Sequence, residues 1–197
     1  MLCSPDAQED SASSAEILRQ LPEPYRALLE SKAFRFTKVY SFHRTKFGLW
    51  LQISPDPPLR FFNLLKPPGG GAAVYEFVTA FSDDVSLTTT TTRSAFVFPR
   101  PFGSFLQSFP NSSPESLWTA HRQGEEHIIS AVGIPVKECR IPFLEGLKQD
   151  VIRKMSHVAS LPFWFIRGVY WYAVKRFFLH NQPIWRQNIR AIYGPRG

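Results

Sequence analysis

Cysteine is almost absent from this chain: among 197 residues only Cys3 and Cys139 occur. Two distant thiols cannot make the disulfide framework of a small secreted domain, which points to a reducing, cytoplasmic setting. Neither has a C-x-x-C partner, so no thiol-redox or zinc-ribbon pattern exists. The first fifteen residues, MLCSPDAQEDSASSA, carry no basic-then-apolar leader, and their Ser, Asp and Glu content predicts a solvated tail over 1–14. An uninterrupted bilayer-length apolar run is also missing. The segment 161–179 comes nearest to the roughly 20 residues required, yet it contains Arg167, and burying that charge at mid-membrane costs about 2.5 kcal/mol or more.

Catalytic signatures are equally scarce. There is no G-x-S-x-G elbow, and Lys66-Pro67-Pro68-Gly69-Gly70-Gly71 lacks the G-K-[ST] ending of a phosphate loop. Of the five histidines only His121 and His127 are near neighbours. Six residues apart is about 240° of helix, so they face different directions, whereas zinc-binding helices place ligands four apart. His121 falls on an apolar stripe and reads as a hydrogen-bonded interior residue, and Glu125 and Glu126 read as solvated. Asp83-Asp84 is turn chemistry. No catalytic residue, metal site or cofactor is expected.

What the chain does have is apolar bulk: 44% hydrophobic residues, 18 Phe and an aromatic share of 15%, enough for a core. The length fits one domain, here 15–197. Alternation with a period of two begins at Phe34 and predicts strands at 33–42, 47–53, 59–65, 73–81 and 85–92. Phe34, Phe36, Tyr40 and Phe42 are expected on one face of the first. The connections are too short for parallel crossovers, so the five strands form an antiparallel meander. The threonine run Thr88–Thr92 reads as an edge strand with a solvated face. Residues 94–112, with three prolines and five phenylalanines, read as an irregular aromatic segment.

Helices are predicted before and after the sheet. Short ones are expected at 15–20 and 24–31. Ser112 and Glu115 suggest a capping box, and Gly133 is placed to end that helix. A helix after Pro142 sets Leu144, Leu147, Val151 and Met155 to one side, and further helices are expected at 163–179 and from Pro183. The fold class is therefore α+β: a five-stranded antiparallel meander, 33–92, covered by C-terminal helices between 113 and 193.

Charge is unevenly distributed. Residues 1–139 hold 13 basic and 14 acidic side chains, whereas 140–197 hold 10 basic residues against only Glu145 and Asp150. The overall +7 is entirely C-terminal, where aromatics are dense. Trp164, Arg167, Trp171, Lys175 and Arg176 are the candidate contacts of a non-catalytic interaction module for an anionic membrane surface or an acidic protein. The alternative is a small-molecule binder or enzyme with an apolar pocket between sheet and helices, lined by Phe36, Tyr40, Phe77 and Trp118. Nucleic-acid binding is a third reading, since Arg with exposed rings suits it as well.

Overall fold

The period-two run that starts at Phe34 folds as five consecutive antiparallel strands. The computed structural model describes residues 8–9, 14–42, 45–53, 57–66, 71–92, 100–137, 143–163, 165–166, 169–170 and 181–187. With the two-residue strand β1 (Gln8–Glu9), they carry β2 (Phe34–Phe42), β3 (Thr45–Gln52), β4 (Leu59–Lys66), β5 (Val74–Ala80), β6 (Ser86–Thr90) and β7 (Ser104–Ser108). Spatial order follows chain order. The class is α+β with a mostly antiparallel sheet, but the meander is extended at both edges. β1, inside the stretch read as a tail, pairs with Ser41 and Tyr40. β7 pairs with β6 in parallel. It lies inside the segment expected to be irregular, and residues 91–103 supply the dozen or so residues that a parallel crossover needs.

Both faces of the sheet are apolar in its middle. One face carries Phe34, Trp50, Phe62, Leu64 and Phe77, and the other carries Tyr40, Leu49 and Phe61. The split of Phe34 from Tyr40 departs from strict alternation. A bulge between Phe36 and Lys38 shifts the register, so Val39 joins the first face and Tyr40 turns to the second. One inserted residue reverses the parity of everything after it.

Helices α1 (Ser14–Gln20), α2 (Glu23–Ser31) and α3 (Pro114–His127) pack on the first face, burying Ile17, Tyr25, Leu28, Leu29 and Leu117. Pro114 opens α3, but the cap is Ser113, whose hydroxyl accepts from the Ser116 amide at 3.2 Å, one residue later than expected. α3 continues as a π-helical turn, Ile128–Val132, and stops at Gly133 with φ 72°, the left-handed conformation that favours glycine. α4 (Phe143–Ser160) lies against the second face. The cover is therefore two-sided and partly N-terminal. The helix expected from Pro183 is a single 3-10 turn, Ile184–Arg186, within the described residues. There the chain returns to the sheet: Gln182 bridges to Ser108, and Ile184 is fully buried beside Phe81, Leu87, Phe105 and Ile128.

Candidate functional site

Among the described residues, polar side chains gather inside the molecule at two sites, one on each face of the sheet. Under α3 the site is a closed chain of hydrogen bonds. Gln107 donates to the Ala120 carbonyl (2.9 Å) and to the Thr89 hydroxyl (2.7 Å), and its own oxygen accepts from the Ile184 amide (3.2 Å). Thr89 Oγ1 lies 2.7 Å from His121 Nδ1, and Thr79 Oγ1 lies 2.8 Å from Nε2. Thr79 also donates to the Glu125 carboxylate, which accepts from Arg60 Nε at 2.8 Å and from Arg122. One assignment satisfies all of them: Thr89 donates to Nδ1, and a neutral His121 donates from Nε2–H toward Thr79. Burial lowers the His121 pKa, outweighing the pull of Glu125. Burial alone would raise Glu125, but hydrogen bonds from His121, Arg60 and Thr79 bring it down to about 2.

Two expectations are corrected by this chain. Glu125 is not solvated but buried, because Arg60 on β4 reaches it from the sheet; Glu126 is exposed. The threonine run is not a solvated edge, because β7 covers β6 and Thr88, Thr89 and Thr90 are buried. Thr89 is held there by its hydroxyl bonds, without which burial of each polar group would be costly. Gly124 permits the approach of α3: a Cβ on it would lie 2.6 Å from Gln107 Nε2.

On the opposite face, α4 turns a charged side inward. Gly146, Asp150, Arg153 and Lys154 recur at helical spacing and roof a cleft of about 190 Å³. Its floor combines apolar Phe61 and Val78 with Asn63, Glu76 and Thr88. Asn63 and Glu76 are cross-strand neighbours, and Thr90 sits opposite Glu76 on the next strand. Asp150 accepts from Ser104 Oγ at 3.0 Å, from Arg153 Nη2 at 2.9 Å and from Lys154. Arg153 Nη1 donates to the Asp84 carbonyl at 2.6 Å. The cleft is nonetheless incompletely satisfied. Asn63 Oδ1 and Arg153 Nε are shielded from solvent and have no partner.

The protonation equilibria of the cleft's groups are shifted accordingly. Desolvation raises Glu76 above the ordinary carboxylate range, and the Thr90 hydroxyl, Arg100 and Lys154 offset only part of it. Desolvation, aided by Arg100, lowers Lys154, although Asp150 and Glu76 oppose this. Burial also works to raise Asp150, but Lys154 and Arg153 overcome it and hold Asp150 low. Shifted acids and bases grouped in a cleft mark a functional-site candidate.

With its charged side inward, α4 leaves Ile152 and Met155 in solvent. Further along the chain, past the helix end, Phe163, Phe165, Ile166, Val169 and Tyr170 are exposed as well. Phe163, with φ 55°, adopts the left-handed conformation that a non-glycine residue takes only at a cost, and its carbonyl accepts from the Ile166 amide at 3.0 Å.

The residues singled out from sequence separate into two groups. Trp164, Arg167, Trp171, Lys175 and Arg176 lie outside the described residues. Of the other four, Phe36, Phe77 and Trp118 share the core under α2 and α3, where the rings of Phe77 and Trp118 meet at 5.1 Å, whereas Tyr40 lies on the far face. The four do not line one space. Asn63, Glu76, Thr88, Asp150, Arg153 and Lys154 escaped notice because they belong to three strands and a helix. The one readable signal was the i, i+4, i+8 spacing of Gly146, Asp150 and Lys154.

Against known proteins, neither family models, curated proteins nor solved structures yield a match to this chain. Among the described residues no helix is long and apolar enough to cross a membrane, and no cluster of His, Cys, Asp or Glu could hold a metal ion.

Proposed function

We propose that the protein is a non-catalytic peripheral module that lies on an anionic membrane surface through α4 and the chain that follows it. The observation that carries this reading is the outward run of Ile152, Met155, Phe163, Ile166, Val169 and Tyr170, each between 44% and 68% exposed. Large apolar side chains left exposed in such number within one stretch of chain mark an interaction site more readily than ones scattered singly. Charge complementarity selects the partner. Asp150 is turned inward and paired, which leaves Glu145 as the sole outward acid of residues 140–197 against the remaining basic residues. Each Lys or Arg near an anionic surface contributes about 1 kcal/mol. Aromatic and basic residues interleave from Phe163 to Arg176, and both prefer the headgroup zone.

Co-sedimentation with vesicles tests the reading. Deletion of 160–197 is unsuitable, because it would also remove the buried Ile184. The double substitution Ile166→Glu, Val169→Glu alters only exposed positions. The full chain is expected to pellet with anionic vesicles and to a much smaller extent with zwitterionic ones, and the double variant to stay in the supernatant with an unchanged Tm. A full chain that binds neither vesicle would end the membrane reading.

A further inference from the structure

The cleft under α4 carries a second inference, which goes beyond the membrane reading and stands without it. Its groups are unmet at two ends and in opposite senses. At one end, Asn63 Oδ1 and the Glu76 carboxylate stand side by side across β4 and β5, an acceptor pair whose amide oxygen has no donor. At the other, Arg153 has committed Nη1 to Asp84 and Nη2 to Asp150 and Ser104, while Nε–H has no acceptor. Lys154 sits beside it, paired to Asp150. Between the two ends the floor is apolar, formed by Phe61 and Val78.

Buried polar groups without partners are rare, because each has given up its hydrogen bonds to water with nothing in return. Two in one cleft, one acceptor and one donor, define a complementary molecule. A simple cation would answer Glu76 and Asn63 but would meet the charges of Lys154 and Arg153. A simple anion would answer the two basic residues but would meet Glu76 and Asp150. A molecule bearing both charges answers both ends and adds no net charge to a low-dielectric site. The volume of about 190 Å³ is roughly the liquid volume of six waters, enough for a small molecule and far below the usual drug-sized pocket.

We propose that this cleft binds a small zwitterion with an apolar body, the chemistry of an apolar α-amino acid: the ammonium between Asn63 Oδ1 and Glu76, the carboxylate toward Arg153 Nε and Lys154, and the apolar body on Phe61 and Val78. Such a ligand brings the cleft what it is short of: its ammonium supplies a donor to Asn63 Oδ1 and a positive charge to Glu76, and its carboxylate supplies an acceptor to Arg153 Nε. No covalent step is involved.

Thermal unfolding and titration calorimetry of the full chain, with L-phenylalanine as the probe, test this directly. L-Phenylalanine at about a hundred times its Kd is expected to raise Tm by roughly 5–11 °C for a chain of this size. The half-ligands 2-phenylethylamine and 3-phenylpropionate are expected to bind at least tenfold more weakly. Glu76→Gln keeps the shape and removes the charge, and is expected to abolish the response while retaining the far-UV circular dichroism of the parent. Lys154→Met provides a second variant at the opposite end. The proposal is overturned if L-phenylalanine and L-leucine both give neither heat nor Tm shift, if either half-ligand binds as well as the amino acid, or if a folded Glu76→Gln responds like the parent. These readouts contain no lipid, so they fail or succeed separately from vesicle binding.

Discussion

Under α3, the ionised Glu125 meets Arg60, Arg122 and Thr79, with the neutral His121 completing the chain. Under α4, Glu76 has the Thr90 hydroxyl beside it and the charges of Arg100 and Lys154 at a remove. The same residue type is thus driven in opposite directions on the two faces of one sheet. Glu125 is buried and meets several donors, whereas Glu76 is half-buried in its cleft and meets few. A carboxylate with enough donors is held as the ion, whereas one with few is driven toward its neutral form. The helices divide in the same way. α3 buries its apolar stripe and a satisfied polar chain, while α4 buries charge and exposes Ile152 and Met155.

The largest effect separating the two sides is expected from Glu125→Leu. It strands Arg60, whose side chain is 14% exposed, and breaking one side of a buried ion pair costs about 3–5 kcal/mol. The Tm is expected to fall by roughly 6–20 °C. Glu76→Gln in the same assay should leave Tm unchanged or raise it, because it removes a charge the site disfavours. Equal losses from the two substitutions would erase the distinction.

Gly124→Ala comes next. The added methyl would push on Gln107 and on Leu87 Cδ2, 2.9 Å away, and so on the residue that holds Thr89, Ala120 and Ile184 together. Overpacking of this kind costs about 1–3 kcal/mol, readable as a lower urea midpoint.

Stability should also respond to pH with opposite signs through Glu125 and Glu76. His121 has a folded pKa below its unfolded value near 6.5, so its contribution is lost as pH falls below that value. Glu125 acts in the same direction: its contribution is full above the unfolded carboxylate range and is lost as pH falls toward about 2. Glu76, raised in the fold, contributes below its unfolded pKa, and that contribution is lost as pH rises through the folded one. Urea titrations between pH 3 and 8 should therefore show Glu125→Gln flattening the acid side of the profile and Glu76→Gln steepening it. The smallest effect is expected from Met155→Ser, within about 0.5 kcal/mol, since an exposed side chain contributes little to a core.

Much of the sheet was legible because alternation is a local signal: five of its strands follow the period that begins at Phe34. What was not legible depended on contacts between distant residues. The bulge after Phe36 moved Tyr40 across the sheet. Glu125 looked solvated in HRQGEEH until Arg60, 65 residues earlier, is seen to meet it. Thr88 to Thr90 looked like an edge until β7 is seen to pair beyond them. α4 defeats periodicity altogether, since a wheel that buries Met155 buries the wrong side of this helix. The aromatic-basic character of the C-terminal region was visible in composition, but the cleft beneath α4 was not, because its residues converge only through the sheet register.

The orientation of α4 underlies both the membrane reading and the cleft, and a site-directed spin label tests it most directly. In a Cys3→Ser, Cys139→Ser background, a single nitroxide is placed through Met155→Cys on the outer side of α4, and separately through Thr119→Cys on the exposed side of α3. On addition of anionic vesicles, the label at 155 is expected to become less accessible to a water-soluble nickel chelate and more accessible to oxygen, while the label at 119 stays as it was. A label at 155 that remains as open to the chelate as the one at 119 would contradict the account.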